Sequence, residues 1–340
     1  MSKIKFAIVG CGRISFKHVE ALINNEEDAI LVAACDILEE KAIERKDQYE
    51  RAFPNTNVKI YTDYMEMLKN EDIDVVTIAT ESGYHAKHAI DCMNYGAHVL
   101  IEKPMALSVE DADRMIALGR EKHLKICVSH QNRFNPPIQK LRRAIEEGRF
   151  GRIMNGTARI LWTRDNNYYK QAPWRGTAEL DGGTLMNQCI HNIDLLQWMM
   201  GSEVERIHAE RETFLRDIEM EDFGAILIRF KNGSIGIIEG SAVVYPKNLE
   251  ETLSIFGETG TVVIGGLAVN EIKTWQFADE RDYDKEQEET EIENVYGKGH
   301  TPLYKDFIDA INNDTEPLIN GEEGKKSMEI ILKAYDVSPK

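Results

Sequence analysis

A glycine turn wedged between an apolar strand and a helix, close to the start of the chain, restricts the fold more than any other feature. Residues 4–9 (Ile-Lys-Phe-Ala-Ile-Val) read as a strand that breaks at Gly10-Cys11-Gly12, and Val19, Leu22 and Ile23 follow at helical spacing. A second strand over residues 29–35 ends at Asp36, and a charged helix is expected over about 38–52, which completes a β-α-β unit. Gly10-Cys-Gly12-Arg13-Ile14-Ser15 is then a dinucleotide fingerprint with serine in the third small-residue position. The pattern alone is weak, but a strand before it and a helix behind it within one β-α-β unit make it strong. Gly10 permits the tight turn, Gly12 removes the side chain that would block a pyrophosphate, and the helix N-terminus offers free N–H groups. Asp36 stands where an acidic side chain hydrogen-bonds the adenosine ribose and repels a 2′-phosphate, so NAD is expected over NADP.

Further strands at about 58–61, 74–79, 97–101 and 125–129 alternate with helices near 63–69, 84–94 and 108–122. Near-continuous apolar strands in that rhythm predict a doubly wound parallel sheet, a Rossmann domain over residues 1–128. Beyond 128 the pattern changes to a helix near 136–148 and alternating strands around 152–162, 205–214, 223–230, 234–242, 251–257 and 261–264. These predict a second α/β domain over 129–340 with an open, mainly antiparallel sheet. A helix is expected at about 184–200, and the last helix, near 325–335, is free to pack back on the first domain. A length of 340 residues suits two domains, and two domains provide a cleft for a ligand.

The formal charge of −17 argues against nucleic-acid or anionic-lipid partners, and no apolar run approaches the roughly 18 residues of a membrane helix. Cys11, Cys35, Cys92, Cys127 and Cys189 form neither a CxxC nor an even framework, which fits a reducing cytoplasm. Much of the negative charge lies between Asp279 and Glu293, a run expected to be a solvated hairpin or loop.

Chemistry concentrates at two places. Ile101-Glu102-Lys103-Pro104 directly follows the fifth strand, at the carboxyl edge of the sheet where a nicotinamide would lie. A lysine screened there beside an oxidised nicotinamide has reason for a lowered pKa, and it could relay a proton or hydrogen-bond a reacting oxygen. In Asp181-Gly182-Gly183-Thr184-Leu185-Met186-Asn187-Gln188-Cys189-Ile190-His191-Asn192-Ile193-Asp194, a glycine turn enters a helix. Asn187 and His191 then share a face, and Asp194 stands one turn beyond to orient the His191 ring. His85 and His88 are better read as a helix-start feature than as a metal pair, and no metal is expected. Tyr168, Tyr169 and Trp174 could stack on a base or sugar ring, and Arg133, Arg164 and Arg175 have the charge and fork geometry to bind phosphate or carboxylate.

The glycine fingerprint, the strand-end Glu-Lys-Pro and the Gly-Gly followed by a helical histidine together resemble the glucose-fructose oxidoreductase / inositol dehydrogenase / rhizopine catabolism family across nearly the whole chain. The resemblance implies an NAD-dependent dehydrogenase with Lys103 and His191 as its catalytic pair. It also implies a sheet face in the second domain that mediates a homo-oligomer, dimer or tetramer. Candidate cofactor residues are Gly10, Gly12, Arg13, Ile14, Asp36, Thr80, Glu102 and Lys103, with His85 near the nicotinamide as the family's loop histidine. Many members carry aspartate where this chain has Asn187, so a carboxylate base at that position is ruled out.

Gln131-Asn132-Arg133-Phe134-Asn135-Pro136, the segment Tyr168 to Thr177 and Leu185 to His191 look like the UDP-N-acetylglucosamine / UDP-N-acetylglucosaminuronate 3-dehydrogenases. The substrate set on that resemblance is Arg133, Arg164, Tyr169, Trp174, Arg175, Asn187 and His191, and Glu81 replaces a common proline. The alternatives are another sugar or inositol dehydrogenase of the family, an NAD-dependent glycosidase, and a non-catalytic NAD or sugar sensor. Retention of Lys103 and His191 argues against the sensor.

Overall fold

The computed structural model describes residues 2–286 and 297–338. Its elements in chain order are β1 (Ile4–Val9), α1 (Ser15–Asn24), β2 (Ala29–Cys35), α2 (Glu39–Ala52), β3 (Lys59–Tyr61), α3 (Tyr64–Asn70), β4 (Val75–Ile78), α4 (His85–Asn94), β5 (His98–Ile101), α5 (Val109–Lys122), β6 (Ile126–Val128), α6 (Pro136–Glu146), β7 (Ile153–Leu161) and α7 (Asn166–Lys170). There follow α8 (Ile190–Met200), β8 (Val204–Glu212), β9 (Phe223–Phe230), β10 (Ile235–Ser241), β11 (Glu250–Gly257), β12 (Gly260–Gly265), β13 (Glu271–Phe277), α9 (His300–Asn312) and α10 (Gly321–Val337).

Two units result: Met1–His130 with His300–Lys325, and Gln131–Gly299 with Lys326–Lys340. In the first, the parallel order β3-β2-β1-β4-β5-β6 is that of a Rossmann fold. Its central strands are buried on both faces, as their unbroken apolar runs require. The return of residues 300–325 to this unit departs from a cut at 128. The cause is α9, which the sequence reading omitted. Leu303, Tyr304, Phe307 and Ile308 put a fully buried stripe on α9, which packs beside α1, and the Tyr304 hydroxyl lies 2.8 Å from Thr77 Oγ1 in the core of β4. A buried threonine hydroxyl needs such a partner.

The second unit is a seven-stranded sheet, β13-β12-β11-β7-β10-β9-β8. It is mainly antiparallel as expected, except that β7 and β10 run parallel, with Gly236 opposite Gly156. Helix α8 lies on the face made by β7, β10 and β11. The expected helix over 184–200 forms, and its first turn, Leu185–Cys189, is π-helical before the chain passes into α8. Room for this wide turn comes from Gly224 and Gly240, directly paired across β9 and β10. A Cβ at Gly224 would stand 2.7 Å from the Leu185 side chain, and one at Gly240 would stand 2.6 Å from Cys189 Sγ.

The acidic run is not a simple solvated loop where it is described. Asp279 and Asp284 both accept from Arg149, whose side chain is fully buried, and Trp275 Nε1 donates to Asp284 at 2.7 Å. The remainder of the run, from 287 to Glu293, lies outside the described residues.

Candidate active site

In the first unit the sheet register lines up the carboxyl ends of four strands. Val9 pairs with Cys35 and with Ile78, and Ile78 pairs with Ile101, so Gly10, Asp36, Ala79 and Glu102 follow one another across the edge. Gly10 has φ +89°, and a Cβ there would lie 2.6 Å from the Ala79 carbonyl, so both the turn and the closeness of β4 demand glycine. A Cβ at Gly12 would meet nothing within 4 Å. That open space, ahead of a helix with no acidic residue in its first turn, fits a pyrophosphate. Arg13 and Ile14 lie in this turn, exposed and half-buried. Asp36 Oδ2 accepts the Cys11 N–H at 2.8 Å and Oδ1 the Leu38 N–H at 2.9 Å, which fixes the carboxylate beside the glycine turn. The residues present therefore fit NAD. Asp36→Ala is expected to weaken NAD by about 1.5–3 kcal/mol, the scale of hydrogen bonds to a charged group, and to relax the exclusion of NADP. Calorimetric titration with both cofactors checks this, and unchanged affinities would remove Asp36 from the ribose.

Thr80 and Lys103 follow the ends of β4 and β5, both half-buried. Two companions have other roles. His85 is 1% exposed, with Nδ1 2.7 Å from the Pro104 carbonyl and Nε2 3.1 Å from the Thr80 carbonyl, and a neutral ring donates its single N–H to one of these two strand-end carbonyls. Burial depresses its basicity. Glu102 is likewise buried, with Oε1 3.0 Å from His18 Nε2, while His18 Nδ1 lies 3.0 Å from the Tyr304 hydroxyl. Burial opposes its ionisation, but the His18 and His300 rings outweigh that and hold it well below the usual carboxylate range. Glu102 is thus an internal anchor under Lys103 rather than a surface for a cofactor.

In the second unit the glycine turn at Gly182-Gly183 is held from beneath. Glu221 is fully buried, its Oε1 accepting the Leu185 N–H at 2.9 Å and the Tyr335 hydroxyl at 2.9 Å. Tyr335 also lies 2.5 Å from the Gly182 carbonyl. Burial pushes the Glu221 carboxyl up to about 7. Sequence reasoning missed this support, because an acidic residue before a strand gives no sign of being buried. His191 begins α8, half-buried. A shallow surface recess on the same segment is lined by Tyr169, Gly176, Asp181, Gly183, Thr184, Asn187, Gln188 and Ile218.

The three candidate arginines separate. Arg133 is a correction: its side chain is fully buried, and Nε and Nη2 each reach Asp194 at 2.7 Å, so it cannot meet a ligand phosphate. Asp194 is thereby committed to Arg133 instead of orienting the His191 ring. Arg164 is half-buried and gives Nε to Gln188 at 2.9 Å and Nη1 to the Thr163 carbonyl at 2.8 Å. Arg175 lies over the Tyr168 ring at 4.2 Å and the Trp174 ring at 4.8 Å, and it has no ion pair among the described residues. Its Nε is buried without a hydrogen-bond partner. Neither Arg164 nor Arg175 has its charge offset by an ion pair among the described residues, and Arg175 has the fewer hydrogen bonds within the chain.

Residues 4–130 match the family described as "Oxidoreductase family, NAD-binding Rossmann fold", and residues 138–263 match "GFO/IDH/MocA C-terminal domain". The chain is similar to the WlbA dehydrogenase of Bordetella pertussis, solved with NADH and UDP-GlcNAcA. They share 38% identity over 99% of this chain and 96% of that one, at a TM-score of 0.89. The WlbA dehydrogenase of Chromobacterium violaceum, solved with the same two molecules, is also 38% identical, over 99% and 94%, at a TM-score of 0.87. Myo-inositol 2-dehydrogenase of Thermotoga maritima is 26% identical over 96% of this chain and 93% of its own length.

Proposed function

Because the chain belongs to the GFO/IDH/MocA oxidoreductases, we propose that it oxidises the C3 hydroxyl of UDP-N-acetylglucosamine or of its uronate. The product would be a 3-keto nucleotide sugar for amino-sugar and surface-polysaccharide synthesis. The chain is an NAD-dependent dehydrogenase acting on CH–OH groups. The observation that carries the finer substrate is its likeness, along nearly the full chain, to two dehydrogenases solved with NADH and UDP-GlcNAcA.

The glycine turn and Asp36 would hold NAD, which when bound would supply the acceptor for the hydride that leaves the sugar carbon. Lys103 and His191 share the proton work: they hold the reacting oxygen and take its proton as the C–H bond breaks. Tyr169 and Trp174 offer ring faces to the sugar nucleotide, Asn187 offers an amide, and Arg175 meets its anionic part. The same proposal carries a cytoplasmic homo-oligomer, dimer or tetramer, with no nucleic-acid or membrane partner. No helix among the described residues is long and apolar enough to cross a membrane.

The test is a panel of nucleotide sugars and inositols, following reduced nicotinamide by absorbance and product by mass. An intact 3-keto nucleotide sugar supports the proposal. Turnover of inositols alone, release of a cleaved glycan, or NAD binding without reduction of NAD by any sugar would each overturn it in favour of a different activity. Within the panel, Arg175→Ala is expected to raise KM about ten- to a hundredfold with a smaller effect on kcat, since it removes a contact made equally in ground and transition states. Arg164→Ala is expected to do less, its donors being committed within the chain. A loss confined to the uronate assigns Arg175 to the C6 carboxylate, and an equal loss on both sugars assigns it to the diphosphate. Unchanged kinetics on both sugars refutes the anchor.

A further inference from the structure

Asp181, next to the glycine turn, is only 3% exposed, and both of its oxygens are engaged. Oδ2 accepts the Gly176 N–H at 2.6 Å, and Oδ1 accepts the side-chain amide of Asn187. From Asn187 the hydrogen bonds run on in one sense. Its Oδ1 accepts Gln188 Nε2 at 2.7 Å, and Gln188 Oε1 accepts Arg164 Nε at 2.9 Å. Gln188 Nε2 also donates to the Tyr168 hydroxyl at 3.0 Å. A guanidinium only donates and an ionised carboxylate only accepts, so the charges at the two ends leave each amide a single orientation. The two amides lie head to tail between an anion and a cation, an arrangement in which each bond strengthens the next. Asp181, Asn187 and Gln188 also line the shallow recess on this segment.

We propose that Asp181 is a positioning residue of the substrate site. It does no chemistry itself. Acting through Asn187 and Gln188, it fixes which edge of the Asn187 amide meets the sugar and holds Arg164 in place. The proposal rests on the nucleotide-sugar function and adds the residue that orders its recess.

A charge swap tests it. In Asp181→Asn, no arrangement of three amides satisfies the Gly176 N–H at one end and the Arg164 N–H at the other, so one donor is left facing another. In Asn187→Asp, two carboxylates meet. In the double variant the carboxylate, now at position 187, accepts from both neighbouring amides, the amide oxygen at 181 still takes the Gly176 N–H, and every bond of the chain is remade. Each single variant is expected to lower kcat/KM for the UDP sugar about thirtyfold with the NAD dissociation constant unchanged, and the double to recover about tenfold over the worse single. Kinetics are read at a temperature where circular dichroism shows all four proteins folded, so a purely structural role would leave kcat unmoved. Single variants with parental kinetics, or a double no better than the worse single, overturn the proposal. If the parent turns over no nucleotide sugar, the substrate assignment fails separately. The same four proteins then report through thermal melting, where recovery in the double supports the chain and additive losses overturn it.

Discussion

Lys103→Met and His191→Asn are each expected to lower sugar-dependent NAD reduction by about a hundredfold or more, the scale of a positioned acid–base group, while NAD affinity stays near that of the parent. Methionine keeps the length of lysine and removes its charge, and asparagine keeps a hydrogen-bonding edge and removes the titrating ring. Lys103 follows β5 at the carboxyl edge of the sheet, where Glu102 beneath it is tied to His18 and where His85 bonds the carbonyl of Pro104. The main chain at Lys103 is therefore fixed by neighbours that the substitution leaves alone. His191 opens α8 behind a turn held by Glu221 and seated on paired glycines, so its place too survives loss of the ring. Steady-state turnover and direct titration of NAD, read on the same preparations, separate chemistry from binding. Parental turnover in both variants removes the pair from the mechanism. Loss of NAD affinity in Lys103→Met would make that residue a holder of the cofactor first.

The cofactor half was legible in the sequence because a parallel sheet turns linear position into spatial position. Each apolar strand ends at the same edge, so Gly10, Asp36 and Lys103 fall along it from their strand positions alone. Helix α9 also leaves a trace in the sequence, since Leu303, Tyr304, Phe307 and Ile308 follow Pro302 at helical spacing, and proline in the first turn of a helix is itself a signal. The substrate half was less readable. An arginine that binds a ligand and an arginine buried against an aspartate have the same local sequence, and the partner of Arg133 stands 61 residues away. The π-helical turn left no periodic trace either, because it depends on Gly224 and Gly240 in strands that come later in the chain.

Arg133→Ala is expected to destabilise the protein by about 3–5 kcal/mol, the cost of leaving one member of a buried ion pair without the other. Both side chains are wholly out of solvent, joined by two parallel hydrogen bonds of 2.7 Å. The guanidinium also lies 4.7 Å from the centre of the Trp198 ring, so the truncation removes packing together with charge. Asp194 belongs to α8, one turn beyond His191, and the pair ties residues Gln131–Phe134 to that helix. Replacing both partners by apolar residues closer to their volumes, Arg133→Met with Asp194→Val, is expected to recover most of the loss, because no charge is then stranded in the core. Urea unfolding of the two single variants and the double measures each term, and the non-additivity gives the coupling directly. The same experiment decides between the two roles of Arg133. An internal strut gives a low denaturation midpoint and, in the fraction still folded, a parental KM for the nucleotide sugar. A ligand anchor gives a parental midpoint and a raised KM, and that outcome would return Arg133 to the substrate site.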